Sequence, residues 1–437
     1  MSEEIIIINA INLVWKFIGV ISVFWMTAGF CMLEAGIVRK ENVPDILFKN
    51  IINITISFLV WWLLGYSFSF GKSDTEGFIG GSTSFGYVGN DIYESLDDLL
   101  NWCFQAQFAS CSLTIISGGL AERCCNVGYI IICIFFQVII YPVISHWCWS
   151  NDGWLYLGAG NDSQQHEYLH YYDYAGSGVI HITGGITSLI CCKLLGERSY
   201  PREKHNIVFV ILGTLILWMG WFGFNTCSGG LLDDENASVI AGRVIINTIL
   251  CPSSAALMTL LLTCYDHKKK IFEFDVVEIC NGILVGLVSI TAPCAYVKIW
   301  AAVVIGIISS LFYVLGMYIL EKTGIDDVVG AFPVHACGGI WGILATGLFH
   351  TECGWFYSKN TFMAWQVYGV LAIVGWTSLL TFLITWSLNN AKLLRDLSSD
   401  AGVFDPDPMN KEKVEDLLGR LRKVGKRLSN IKVKSSE

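Results

Sequence analysis

Apolar residues run along this chain in long blocks rather than in an amphipathic alternation. A bilayer core of about 30 Å takes about 20 apolar residues per helix, and runs of that kind begin near Trp15, Ile51, Trp102, Val127, Tyr174, Ile207, Val239, Val277, Trp300, Ala331 and Gln366. The pattern predicts eleven membrane-spanning helices within residues 1–390 and a polar tail over residues 391–437. The weakest runs are the one at Val277, interrupted by Asn281 and glycines, and the Gly-rich one at Ala331.

Composition agrees with the blocks. Of 437 residues, 54% are hydrophobic and only 15% charged, with a mean hydropathy of +0.54, against about 25% charged residues in ordinary soluble domains. The charge is also uneven, because 19 of the last 47 residues carry one. Such a body is that of an all-α polytopic membrane protein, not of a soluble enzyme, a disordered chain or a nucleic-acid-binding domain. The acidic start Met1-Ser-Glu-Glu-Ile5 lacks the basic segment of a signal peptide. The sixteen cysteines have no metal-ligand or disulfide-framework spacing and read as small buried hydrophobes.

Lys and Arg in short loops set the orientation. With the N-terminus outside, twelve basic residues of the loops fall inside, among them Arg39, Lys49, Arg123, Arg198 and Lys322, and only Lys16, Lys72, Lys298 and Lys359 fall outside. The expected arrangement is therefore N-terminus outside and C-terminus cytoplasmic, in the cell membrane. The outer loops are acidic, with Asp91, Glu94, Asp97 and Asp98 in one and Asp152, Asp162 and Glu167 in the next, which would concentrate cations if these are more than solvated loops. Asn161-Asp-Ser163 forms a sequon in one of them.

Two distant segments repeat one another. Asp173 precedes His181, and Asp327 precedes His335, by the same eight positions, and each histidine is followed by x-x-Gly-Gly-Ile. They fall in the fifth and tenth runs, so five spans per half place matching positions on opposite approaches to a pseudo-two-fold axis in the membrane plane. One histidine in an apolar helix is most often a satisfied core residue. Two at equivalent positions, each beside a Gly-Gly that allows close helix approach, are expected to meet near the midplane and line a pathway, because ionisable groups are costly in a membrane.

Aromatic and polar clusters recur toward the expected outer side: Phe104-Gln-Ala-Gln-Phe108, His146-Trp-Cys-Trp149 and Trp218-Met-Gly-Trp221-Phe-Gly-Phe224-Asn-Thr-Cys-Ser228. They fit an interfacial belt, or, if several face one axis, a site for a compact cation held by cation–π contacts. Asp173, at the start of its span, suits a helix N-cap more than direct coordination.

Together these residues, with Ser117-Gly-Gly-Leu-Ala-Glu-Arg123, Tyr141-Pro142 and Asp326-Asp327, resemble the ammonium transporter (Amt/Mep) family, with the Rhesus glycoproteins more distant. The resemblance runs in order from about Trp15 to Asn389. It implies an eleven-helix bundle with a five-plus-five inverted repeat, assembled as a homotrimer with a central pore in each subunit, and no cofactor. Carried over by position, Phe108, Trp149 and Ser228 look like the ammonium-recruitment site with Trp221 near it, Phe108 and Phe224 like the gate, His181 and His335 like the pore pair, and Asp173 like the aspartate supporting binding and deprotonation. The function implied is transport of ammonium, and of methylammonium where it fits, by deprotonation and conduction of ammonia, with net proton transfer favoured over electroneutral flux.

Three features depart from the family pattern. Gly330 stands where many members carry a second acidic residue, and Cys227 replaces a glycine before Ser228. The tail reads Asp400-Ala-Gly-Val-Phe-Asp-Pro406 instead of the usual Gly-rich motif. Beyond Pro408 the tail has the spacing of a basic amphipathic helix, fit for the cytoplasmic face of the trimer or for anionic lipid. Two rival functions stand beside transport: an ammonium sensor with little flux, and a haem protein using His335 and His350.

Overall fold

The computed structural model describes residues 3–73, 75–81, 96–158, 170–200, 205–230, 232, 235–266 and 271–395. Among these residues eleven helices cross the bundle: α1 (Glu3–Ile37), α2 (Lys40–Phe70), α3 (Leu96–Leu120), α4 (Asn126–Leu157), α5 (Ser177–Leu195), α6 (Ile207–Thr226), α7 (Glu235–Thr263), α8 (Val276–Thr291), α9 (Ile299–Thr323), α10 (Phe332–Phe349) and α11 (Phe362–Asn390). Among the described residues nine helices are long and apolar enough to cross a membrane on those grounds alone. The other two are α3 and the shorter α8, which forms despite its interruptions. A two-stranded hairpin, β1 (Tyr265–Asp266) with β2 (Ile271–Phe272), links α7 to α8.

The first two helices are longer than their apolar runs. α1 begins about three turns before Trp15 and α2 includes Lys49, so Lys16 and Lys49 are buried helix residues rather than loop charges. Lys16 donates to the Cys227 carbonyl oxygen at 2.9 Å and lies over Phe104, and Lys49 pairs with Asp45 one turn earlier. The sequon at Asn161, most of the acidic loop residues and the tail beyond residue 395 lie outside the described residues.

The inverted repeat is visible in the packing. α1 lies along its counterpart α6, and α5 crosses its counterpart α10. Each half brings a Gly-Gly pair to that crossing. A Cβ on Gly185 would fall 2.5 Å from the Ala336 amide nitrogen, and one on Gly339 would fall 2.5 Å from the Ser177 carbonyl oxygen. These glycines set the separation of the two histidine-bearing helices. Both helices open with a π-helical turn, Ser177–Ile182 in one and Phe332–Cys337 in the other, and each such turn carries the histidine. Insertions of this kind are frequent at functional sites.

Candidate functional site: an aromatic and histidine lane

Each histidine is presented by the same local device. The Asp173 carboxylate accepts from the amides of Gly176 (3.0 Å), Gly178 (2.8 Å) and Val179 (3.0 Å). Asp327 accepts from Gly330 (3.1 Å) and Phe332 (2.8 Å). A helix start leaves amides without intrahelical acceptors, and a carboxylate there satisfies them. The third residue after each aspartate is a glycine with positive φ, +106° at Gly176 and +76° at Gly330, a conformation that a side chain with Cβ rarely adopts. Gly330 therefore holds its place in the repeat through its backbone.

His181 and His335, both buried, approach with Nδ1 to Nδ1 at 3.2 Å and ring centroids 5.2 Å apart, nearly parallel at 17°. For neutral rings a shared hydrogen bond between two Nδ1 atoms makes one ring the donor and the other the acceptor. The Nε2 atoms are then of opposite kind, one able to accept and the other to donate. Among the described residues His181 Nε2 is buried without a protein partner.

The rings expected at the outer mouth continue this pair into one lane. Phe224 lies 5.9 Å from His181, Phe108 lies 4.5 Å from Phe224, and Trp149 lies 5.8 Å from Phe108. On the other side of the pair Phe30, which the sequence did not single out, is 6.1 Å from His335. Phe108 and Phe224 are fully buried and inclined at 36°, in contact rather than in a parallel stack. The Trp149 indole N–H donates to the Asp173 carbonyl oxygen at 2.7 Å, tying the half-buried tryptophan to the helix start that bears His181. Ser228 Oγ donates to the Phe224 carbonyl oxygen at 2.7 Å, which leaves the hydroxyl oxygen as an acceptor.

Trp221 lies deeper than the mouth. It is fully buried, stacks on His181 at 5.2 Å and 17°, and donates its indole N–H to Thr291 at 2.8 Å. Its place is beside the histidine. The Cys227 thiol points to the Trp15 carbonyl oxygen at 3.4 Å and packs against Gly19, so it faces α1 and not the Ser228 hydroxyl. His350 lies flat on Tyr296 at 4.5 Å and accepts amide hydrogen bonds from Glu352 and Cys353. The histidine spacing that suggested haem thus joins two residues in different surroundings.

At the end of the bundle away from Trp149, charged residues bind the end of α5 to the start of α10. Arg198 grips Asp326 through Nε (2.7 Å) and Nη2 (2.8 Å) and also bonds Glu122, while Arg123 reaches Asp326 at 3.2 Å and the Gly196 carbonyl oxygen at 2.8 Å. Burial opposes ionisation of Asp326. The hydrogen bonds and charge of Arg198, with the charge of Arg123, outweigh it and hold the carboxyl well below the usual carboxylate range. Asp326 adjoins Asp327, so the cluster buttresses the α10 start.

A sequence model described as the Ammonium Transporter Family matches residues 14–405. Among curated relatives, the ammonium transporter Amt2 of Archaeoglobus fulgidus is 38% identical over 355 residues, covering 78% of this chain and 71% of its own. Ammonium transporter 1 member 3 of Solanum lycopersicum is 32% identical and covers 93% of both chains. Among solved structures, a protein titled Sensor Amt Protein superposes with a TM-score of 0.81 at 31% identity, covering 92% of this chain and 98% of its own. Saccharomyces cerevisiae Mep2 gives a TM-score of 0.77 at 27% identity, covering 88% and 87%. The helices, the inverted repeat and these likenesses together make the chain a multi-pass membrane protein of the ammonium transporter family.

Proposed function

We propose that the chain is an ammonium transporter that recruits the cation at Trp149, Phe108 and Ser228, removes a proton, and conducts ammonia past Phe108 and Phe224 to His181 and His335. The observation that carries this reading is the unbroken file of rings from Trp149 to His335, with steps between 4.5 and 5.9 Å. The N-terminus and the Trp149 end face outside and the Arg198 end faces the cytoplasm, as the loop charges favour, and the chain sits in the cell membrane as a homotrimer.

The chemistry follows from charge and shape. A compact cation gains roughly 0.5–2 kcal/mol from each aromatic face it meets, and ammonium can in addition donate to Ser228 Oγ, which an alkali cation cannot. Methylammonium keeps that donor and is expected to bind as well. An ammonium ion entering the lane intact would lose its hydration among phenylalanines, at an idealised penalty of order tens of kcal/mol. Neutral ammonia has no such penalty, and the two histidines of opposite hydrogen-bond sense suit a solute that both donates and accepts. Asp173 supports the site by holding the α5 start and Trp149. The proton follows through the Nδ1–Nδ1 bridge, giving net charge transfer, in preference to electroneutral ammonia flux.

Uptake of labelled methylammonium by cells expressing the chain tests the transport reading. Uptake that saturates and competes with ammonium is expected. A second reading, ammonium sensing with little flux, has one observation in its favour, the likeness to the structure titled Sensor Amt Protein. Absence of uptake with normal surface expression would favour it.

A further inference from the structure

Glu34 lies inside α1, one turn from its end at Ile37, and is 1% exposed. Its carboxylate accepts from Ser117 Oγ at 2.7 Å and from Asn50 Nδ2 at 2.6 Å. Both partners are neutral, and Lys49, whose charge reaches Glu34, is paired with Asp45. A glutamine could fill the same space and still accept one of these hydrogen bonds. What a carboxylate adds is the ability to take up and release a proton, and intramembrane acids that face a pathway commonly serve that end.

Glu34 faces such a space. A cavity of about 20 Å³, room for about one water, is lined by Glu34, Phe30, Asn281, Val334 and His335. The acid and the imidazole thus share one small chamber on the far side of His335 from the gate. The chamber wall explains a motif that the recruitment site and gate leave unused, Ser117-Gly118. Ser117 holds the carboxylate, and a Cβ on Gly118 would fall 3.1 Å from Glu34 Oε1 and 2.3 Å from a Val329 methyl.

We propose that Glu34 is the proton acceptor beyond the histidine pair. A proton on the His335 imidazole passes to the water in the chamber as that water gives one of its own to the Glu34 carboxylate. One N–H bond breaks, one O–H bond forms, and the imidazole is left neutral. Glu34 then releases the proton at the α1 end of the bundle, one turn away. This step rests on the net proton transfer proposed above.

The test uses purified full-length chain in proteoliposomes, recording ammonium-evoked charge movement and internal pH together. Wild type is expected to carry current with little internal alkalinisation. In Glu34→Gln the current is expected to fall about tenfold or more while the interior alkalinises, because ammonia then enters without its proton. Glu34→Asp, which keeps an acid, is expected to recover a large part of the current. Wild-type current in Glu34→Gln would overturn the proposal, as would loss of both current and ammonia entry in the two variants alike, which would make Glu34 a strut. Failure of the net-charge reading itself shows separately, as alkalinisation without current in wild type, and removes this proposal with it.

Discussion

Asp173 and Asp327 accept hydrogen bonds from the amides three and five positions after them, each at the head of a helix that carries one of two touching histidines. The likeness is structural, but the surroundings differ. Asp173 also holds Trp149 through its carbonyl oxygen, whereas Asp327 adjoins the Arg198 and Arg123 cluster.

Both aspartates should therefore matter alike for stability and differently for the substrate. Alanine at either position leaves buried amides without an acceptor, at about 1–3 kcal/mol for each. Thermal unfolding in detergent is expected to drop for both variants, and less for Asp→Asn, which keeps one acceptor. Only the Asp173 variants are expected to weaken ammonium affinity as well; an equal loss of affinity in Asp327→Asn would count against the distinction.

At the recruitment site, Trp149→Leu removes one aromatic face and Ser228→Ala removes the hydroxyl acceptor. Each is expected to raise the half-saturating ammonium concentration by about tenfold, the equivalent of ~1.4 kcal/mol, with maximal flux less affected. Concentration series on labelled methylammonium uptake, competed with ammonium, check this. Unchanged half-saturation in Trp149→Leu would remove the aromatic cage from the account.

Trp221 supplies a different expectation because it stacks on His181 and bonds Thr291. Thr291→Val frees the indole N–H without touching the mouth. Its effect is expected on transport rate, about 2–10-fold from the loss of one buried hydrogen bond, and not on half-saturation. A shift in half-saturation alone would place Trp221 at the mouth.

The Asp326 cluster gives a pH dependence with a definite sign. A carboxyl whose folded pKa lies below its unfolded value of ~3.9 stabilises the fold fully above that value, and the stabilisation is lost as pH falls toward the folded pKa. Unfolding temperature in detergent is thus expected to be insensitive to this group above about pH 5 and to fall below about pH 4. Asp326→Asn should be less stable at neutral pH and lack that acid component.

Much of this arrangement was legible in the chain itself. Apolar run lengths mark the spans, and the eight-residue Asp-to-His interval with Gly-Gly-Ile, occurring twice, identifies both histidines and the helix crossing. The resemblance names Phe108, Trp149, Phe224 and Ser228. What the sequence leaves open is depth and direction. Trp221 belongs to the same cluster as Ser228 yet turns to His181, and Cys227 turns its thiol to α1, because helical phase at a few residues depends on how α1 and α6 pack. Lys16 and Lys49 read as loop charges, since hydropathy does not register a buried lysine satisfied by a carbonyl or a neighbouring aspartate. Glu34 is masked by the strongly apolar run around it, although a lone acid there is itself the signal.

Ammonium-evoked current, recorded by two-electrode clamp in cells expressing the wild-type chain and His181→Ala at matched surface level, tests the central claim most directly. The expected result is a saturating inward current in wild type that the substitution abolishes, showing charge carried through the histidine pair. No wild-type current, with labelled methylammonium uptake undiminished, would contradict it and leave electroneutral ammonia conduction in its place.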